Sequence, residues 1–363
     1  MKKIIFVDYT SANNQNSIKN KAIGASEYQM YNLLEELSKY THIYCFNFTN
    51  RETIIDNITY NHFDNLINFN INEDDIIIFQ RFLPHDENLL NKIKNNKKYL
   101  WIHDITHHSI FLKNDQNIIN KYNSNEEIFK EEILYPIINN ETIYFICNSL
   151  ACKNMFINFL SRFNVKINEN KLHLIYNILY ENELITDDNF IINENNIVYA
   201  SAWQKGIEKV ISVFDYIFNK NNNITLTLMS PGYDYHNFQD YKKMLEEKYG
   251  DNIIILGPMN KREYAKIIKS ACCVLSSTFY ETFGCVFAES YYLGTPVIAD
   301  NRSGAVVEII GKENIVNYNN PEEVYNKFID IKNNRNILNI KLDEKFCFDY
   351  NLHSWLEILF IEK

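Results

Sequence analysis

Glycine and proline are scarce in this chain, nine and six among 363 residues, and its seven cysteines form no CxxC pair. An odd cysteine count without such a pair gives no sign of a disulfide framework or a zinc site. Cys45, Cys147, Cys272 and Cys273 lie in apolar runs and read as buried thiols. Basic residues are in deficit too: 36 Lys and Arg face 46 Asp and Glu, a net charge of −10. That balance argues against a nucleic-acid partner held by phosphate neutralisation and weakens docking on an anionic membrane. Peripheral membrane contact through a local basic patch stays open. No apolar run reaches membrane-spanning length, and segment 1–8 (MKKIIFVD) has too short an apolar part for a signal peptide. It reads as a first β-strand, and a reducing, cytoplasmic setting is the expectation. No GxGxxG follows that strand, so a NAD-dependent enzyme fits worst. Glycine scarcity is itself informative, because a glycine kept in such a chain is more often one the backbone needs.

Hydrophobic residues make up 46% and charged residues 23%, an ordinary globular balance, and 363 residues suit two domains. Short β-rich runs alternate with helical patterns, which predicts an α/β fold. In the first half, 3–8, 42–48, 75–80, 98–103 and 142–147 read as strands and 25–40 as a helix, and Ser149 reads as the N-cap of a helix to about 163. A polar stretch, 181–196, interrupts the series. Strands at 197–201, 224–229, 252–256, 271–275 and 295–299 then alternate with helices at 206–218, 238–249, 261–269 and 284–293. Two such series predict two doubly wound Rossmann-like domains facing a cleft, 1–180 and 181–345, with ligands beyond the carboxyl ends of the strands.

The most informative stretch is 276–299, SSTFYETFGCVFAESYYLGTPVIA. A strand ends, a turn presents Glu281, Thr282 and Phe283, and Gly284 opens a helix. Backbone N–H groups and the dipole at a helix start make an anion site. Glu281 precedes that helix and Glu289 sits about two turns down it. A nucleotide along this edge would meet both, with phosphate and sugar near Glu281 and ribose near Glu289. The plain alternative is a solvated loop charge and an exposed helix residue.

Embedded in ETFG…E…GTPV, the pair resembles the E-x7-E element of retaining GT-B glycosyltransferases of the family-4 type (glycosyl transferases group 1). The resemblance is strong over 197–310 and looser before 180. It implies donor-binding roles for Glu281, Thr282, Phe283, Gly284, Cys285 and Glu289, with Glu281 at the donor sugar and Glu289 on the ribose. Tyr199-Ala-Ser-Ala-Trp-Gln-Lys205-Gly206 resembles the family's phosphate loop, in which Lys205 would neutralise the leaving diphosphate; Ala200 stands where Arg is usual. Gly257, Pro258 and Met259 match the turn whose backbone holds the nucleobase. Gly24 matches the glycine-containing loop before the first long helix, with Ile23 in place of a second glycine.

Trp101-Ile-His103-Asp104 resembles the W-x-H-D at the end of an N-terminal strand, which implies His103 near the reacting centre and Asp104 near the acceptor. The alternative for His103 is a core histidine paired with a carboxylate. His103, Asp104, His107 and His108 also invite a metal reading, which the family does not need. Asn148-Ser149 and Tyr176-Asn177 match family positions, although turn and cap roles suffice for them. The ending, 348–360 with Trp355, resembles the last helix that returns to the first domain, so 346–363 is assigned there.

The implied activity is transfer of a sugar from a UDP- or GDP-sugar to a hydroxyl of a glycan or lipid-linked acceptor. The nucleotide sugar is a co-substrate; no cofactor and no metal are expected. The implied chemistry is front-face substitution with retention, and His103, Asp104, Lys205 and Glu281 are the candidate catalytic residues. A sugar-nucleotide epimerase of similar architecture and a catalytically inactive nucleotide-sugar-binding subunit are the competing readings.

Overall fold

The computed structural model describes residues 2–14, 24–84, 87–105, 125–186, 190–229, 238–279 and 281–360. The chain divides into two units: residues 1–18, 25–177 and 351–363, and residues 19–24 and 178–350. The sequence placed these divisions near 180 and 346.

The first unit is built on β1 (Ile4–Asp8), β2 (Ile43–Asn47), β3 (Thr53–Ile55), β4 (Ile58–His62), β5 (Ile76–Gln80), β6 (Lys97–Ile102), β7 (Ile143–Cys147) and β8 (Leu172–Leu174). They form one sheet in the order β3-β4-β2-β1-β5-β6-β7-β8, antiparallel only at β3–β4. Near-continuous apolar strands such as IIFVD and IIIFQ are buried along their whole length, as strands covered on both faces must be. Helices α1 (Ala25–Ser38) and α2 (Leu150–Arg162) are among those that cover it. Ser149 caps α2 by accepting from the Cys152 N–H, as its position before the apolar run predicts. The sequence reading missed β3, β4 and β8. Two of these have three residues each and β4 alternates Thr, Asn and His with apolar residues, so none shows the continuous apolar run of a central strand.

The second unit is built on β9 (Asn193–Tyr199), β10 (Thr225–Met229), β11 (Ile253–Leu256), β12 (Ala271–Ser276), β13 (Val297–Asp300) and β14 (Ile315–Val316), all parallel in the order β11-β10-β9-β12-β13-β14. Its helices include α3 (Ile207–Lys220), α4 (Phe238–Tyr249), α5 (Lys261–Ser270), α6 (Cys285–Tyr292) and α7 (Pro321–Asn334). β9 begins four residues before the expected start at 197, inside the polar stretch. Its polar side chains have partners there: Thr227 donates to Asn196, Asn336 to Glu194 and Lys332 to Asn195. A polar strand end is stable when its groups are hydrogen-bonded.

Helix α8 (Phe348–Phe360) ends the described chain, and residues from Asn351 on belong to the first unit. Trp355 is fully buried, 4.7 Å from the Trp101 ring on β6 and 6.4 Å from Phe6 on β1. All seven cysteines are free thiols. Among the described residues, no helix is long and apolar enough to cross a membrane.

Because so large a ring anchors α8, Trp355→Ala is expected to destabilise the first unit by about 3–5 kcal/mol. Denaturant unfolding followed by a probe in that unit measures this. A cost below about 1 kcal/mol, the level of an ordinary surface change, would mean that α8 is not anchored there.

Candidate functional site

In each sheet the strand order reverses beside the first strand. In the second unit the reversal lies between β9 and β12, and in the first between β1 and β5. Ligands of open α/β sheets bind beyond the carboxyl ends of the strands at such switch points.

In the second unit, β9 runs into a short 3-10 turn, Trp203–Lys205, closed by Gly206 in the left-handed region at φ 99°. A Cβ on Gly206 would lie 2.5 Å from Ser277 Oγ and 3.0 Å from its carbonyl oxygen. Only glycine lets the loops after β9 and β12 come this close, and Ser277 uses the closeness to donate to the Gly206 carbonyl at 2.5 Å. The approach brings Lys205 Nζ to 3.1 Å from Glu281 Oε2. Glu281 is mostly buried while Lys205 is half exposed, so the pair faces solvent on its cationic side. From the loop after β13, Ala305 N–H donates to the Glu281 carbonyl at 3.1 Å. Tyr318 is buried beneath; its hydroxyl accepts from Ser276 N–H and donates to the Ile298 carbonyl, tying β12 to β13.

Gly284, at φ 89°, turns the chain into α6, which no side chain caps. Its first-turn N–H groups and dipole therefore open beside Glu281. Glu289 is the fifth residue of α6, a little over one turn in, not two turns down as expected. It is also no exposed helix residue: it is buried and ion-paired with Lys261 at the start of α5. Tyr264, on the same helix, has its hydroxyl pKa raised well above the ordinary value by burial and then by the Glu289 charge. Asn260 caps α5 by accepting from Glu263 N–H, which places the segment Gly257, Pro258 and Met259 just before the helix that holds Glu289. Gly257 and Pro258 are exposed and Met259 is half-buried.

Two expectations need correction. Phe283 was assigned to donor binding, but its ring is buried against Phe346 at 6.0 Å, so its side chain belongs to the core and only its backbone is available to a ligand. Gly257 does not need to be glycine: it has open space where a Cβ would stand. Thr282 is buried and Cys285 half-buried, both at the α6 start.

Gly24 is the residue immediately before α1 in the chain and groups with the second unit; the other N-terminal candidates belong to the first. His103 and Asp104 follow β6. His103 is buried with its ring 4.5 Å from that of Trp101. Burial, and then the positive charge of Arg81, hold its pKa well below the usual histidine range, so it is neutral near pH 7. The neighbouring carboxylate, Asp104, turns to Arg81 at 3.5 Å. Arg81 was missed by sequence reasoning; nothing in the string announces an arginine at φ 68° directly after β5. Lys261 was missed as well, although Asn260 and Glu263 spell a helix start. His107 and His108 lie outside the described residues, and among those described no group of three or more metal-ligating side chains gathers.

The two units carry the GT-B architecture. A structure of WaaG, a glycosyltransferase of lipopolysaccharide biosynthesis, matches with a TM-score of 0.64 over 99% of this chain and 100% of that one, at 9% identity. Trehalose-6-phosphate synthase OtsA matches with a TM-score of 0.66 over 99% and 95%, at 13% identity. Anabaena HepE, in complex with UDP and glucose, matches at 0.60 over 99% and 96%, at 16% identity. Residues 182–346 match the family model of glycosyl transferases group 1, so the second unit is a domain of that family. An uncharacterized glycosyltransferase of Methanocaldococcus jannaschii is 32% identical over 114 residues, covering 31% of this chain and 28% of the relative. The tRNA-queuosine alpha-mannosyltransferase of Drosophila melanogaster is 29% identical over 135 residues, 36% and 35% of the two chains. The chain thus matches about a third or less of each curated relative's length.

Gly284→Ala is expected to lower the melting temperature of the second unit. The left-handed backbone alone costs about 1–2 kcal/mol, and the new Cβ would stand 2.3 Å from the Phe287 ring. Gly257→Ala is expected to leave it unchanged. Thermal unfolding of both variants decides, and equal melting temperatures would show that the α6 entry is not fixed as described.

Proposed function

We propose that the protein is a retaining glycosyltransferase that moves a sugar from a UDP- or GDP-sugar to a hydroxyl of a glycan or lipid-linked acceptor. One observation carries the reading: Lys205, Glu281 and the uncapped start of α6 meet at the switch point of a group 1 glycosyltransferase domain, with buried Glu289 on the same helix. Lys205 and the α6 N–H groups take the diphosphate, Glu281 the transferred sugar, Glu289 the ribose, and the 257–259 backbone the base. Thr282 and Cys285 line the diphosphate at the helix start. The HepE structure in complex with UDP and glucose supports a nucleotide-sugar donor, and the part of WaaG in lipopolysaccharide biosynthesis supports a glycan or lipid-linked acceptor.

The Lys205–Glu281 pair is the part that changes on binding. A half-exposed ion pair contributes little, about 0–1 kcal/mol, so Lys205 can leave Glu281 for the diphosphate at small cost. The acceptor hydroxyl then attacks the anomeric carbon from the face on which the phosphate departs. The bond from that carbon to the phosphate oxygen breaks, and this oxygen takes the hydroxyl proton. Lys205 and the helix start stabilise the charge gained by the diphosphate, a task often given to a metal ion. Neutral His103 and Asp104 serve the acceptor side as hydrogen-bonding groups, not as a strong base.

The two glutamates are expected to differ. Glu289→Ala should weaken nucleoside diphosphate and nucleotide sugar alike, by about one to two decades, the usual effect of losing a charged hydrogen-bond partner. Glu281→Ala should leave diphosphate affinity nearly intact and lower kcat. Calorimetric affinities for both ligands with turnover for each variant measure this, and equal loss of diphosphate affinity would end the division of roles.

A melting-temperature panel of UDP, GDP, ADP and their sugars identifies the donor. Hydrolysis of one sugar donor marks a transferase, an altered sugar an epimerase, and binding alone an inactive subunit. Turnover is expected to persist in EDTA; loss that Mg²⁺ or Mn²⁺ restores would contradict the role given to Lys205 and the helix start.

A further inference from the structure

At the switch point of the first sheet, one guanidinium joins three elements. Arg81 follows β5 in the left-handed region at φ 68°, while its N–H keeps the β5–β6 pairing by donating to the Trp101 carbonyl at 3.1 Å. Its Nη2 donates to Ser26 Oγ and its Nη1 lies 3.6 Å from Glu27 Oε1, both on α1. Its Nε lies 3.5 Å from Asp104 Oδ2, beyond β6. Gln80 reinforces the α1 contact by donating to the Ser26 carbonyl at 2.7 Å. We propose that Arg81 is a positioning residue: by tying α1 to the segment after β6 it fixes His103 and Asp104 at the acceptor edge.

The functional part of this inference rests on the glycosyltransferase reading; the structural part does not. Among the described residues, Arg81 is the cation of this cluster, beside Glu27 on α1, Asp8 at the end of β1 and Asp104. Cys152 on α2 is near Asp104 and stays protonated, because burial is the main cause raising its thiol pKa well above the ordinary value. Asp8 is buried and shielded by hydrogen bonds from Thr10 and Ser11, with Thr10 Oγ1 also donating to Glu27 at 3.3 Å. The charge acting on His103 is therefore that of Arg81, and its removal lets the imidazole protonate more easily.

The test uses the full chain with Arg81→Gln and Arg81→Lys, and imidazole NMR titrations assigned with His103→Gln. In wild type, His103 should titrate below the ordinary histidine range; in Arg81→Gln its pKa should move up, with burial still holding it below that range. Hydrolysis of UDP-glucose or GDP-mannose, whichever raises the melting temperature, should keep its KM, and the acid limb of its kcat should shift to higher pH. Should Arg81→Gln fail to fold, Arg81→Lys carries the test. Its charge remains but the planar fork is lost, so His103 should stay neutral while kcat falls about tenfold. An unmoved His103 titration in folded Arg81→Gln, or wild-type kcat in Arg81→Lys, overturns the proposal. Absence of hydrolysis by wild type would instead overturn the proposed function, and the NMR arm would still decide the role of Arg81.

Discussion

The hydrogen bond from Ser277 to the Gly206 carbonyl is the contact on which the second unit's site depends. It forms because neither loop has a side chain in the way. Gly206 holds a left-handed turn, and its missing Cβ is the space that Ser277 fills. Once these two strand ends meet, Lys205 and Glu281 must meet as well, although 76 residues separate them in the chain. The same junction is where the strand order reverses, so the opening between the flanking helices falls there by topology.

Charge at that opening is arranged in exchangeable pairs. Glu281 and Glu289 each hold a lysine, one half exposed and one mostly covered. A buried carboxylate without a partner would be costly, so Lys261 stabilises the unliganded protein by pairing with buried Glu289. The nucleotide proposed for this edge would offer both kinds of replacement, phosphates for the lysines and hydroxyls for the carboxylates. A net charge of −10 therefore does not oppose an anionic ligand at this edge, because the local cations and the α6 start set the field.

The first unit uses the same topology with different chemistry. Its switch point carries Asp8, Arg81 and, one strand over, His103 and Asp104, so among the described residues the Arg81 cation lies between carboxylates beside a neutral imidazole. The Trp101 ring links this edge to the core, lying against the tilted His103 ring and meeting Trp355 edge-on. Packing in the centre of the sheet thereby restrains the group at its rim.

Much of the fold was legible in the string. Buried strands such as IIFVD and ACCVL announce themselves by unbroken apolar character, and Ser149 and Asn260 announce helix starts by capping chemistry. The positions of Glu281, Glu289 and Lys205 at strand and helix ends were legible from the local pattern, and their donor-site roles only through the resemblance to the family. The roles of Phe283, Lys261, Tyr318 and Arg81 were not. Phe283 has the same local setting whether it points to a ligand or to Phe346. Lys261 acquires meaning only from Glu289, 28 residues away, and Arg81 only from α1 and the segment after β6. The sequence by itself determined where elements start, end and bury their faces, since those depend on neighbours within a turn or a strand. Only the tertiary structure decided which charges pair, because ion pairs form between strand ends that the sheet order, not the chain order, makes adjacent.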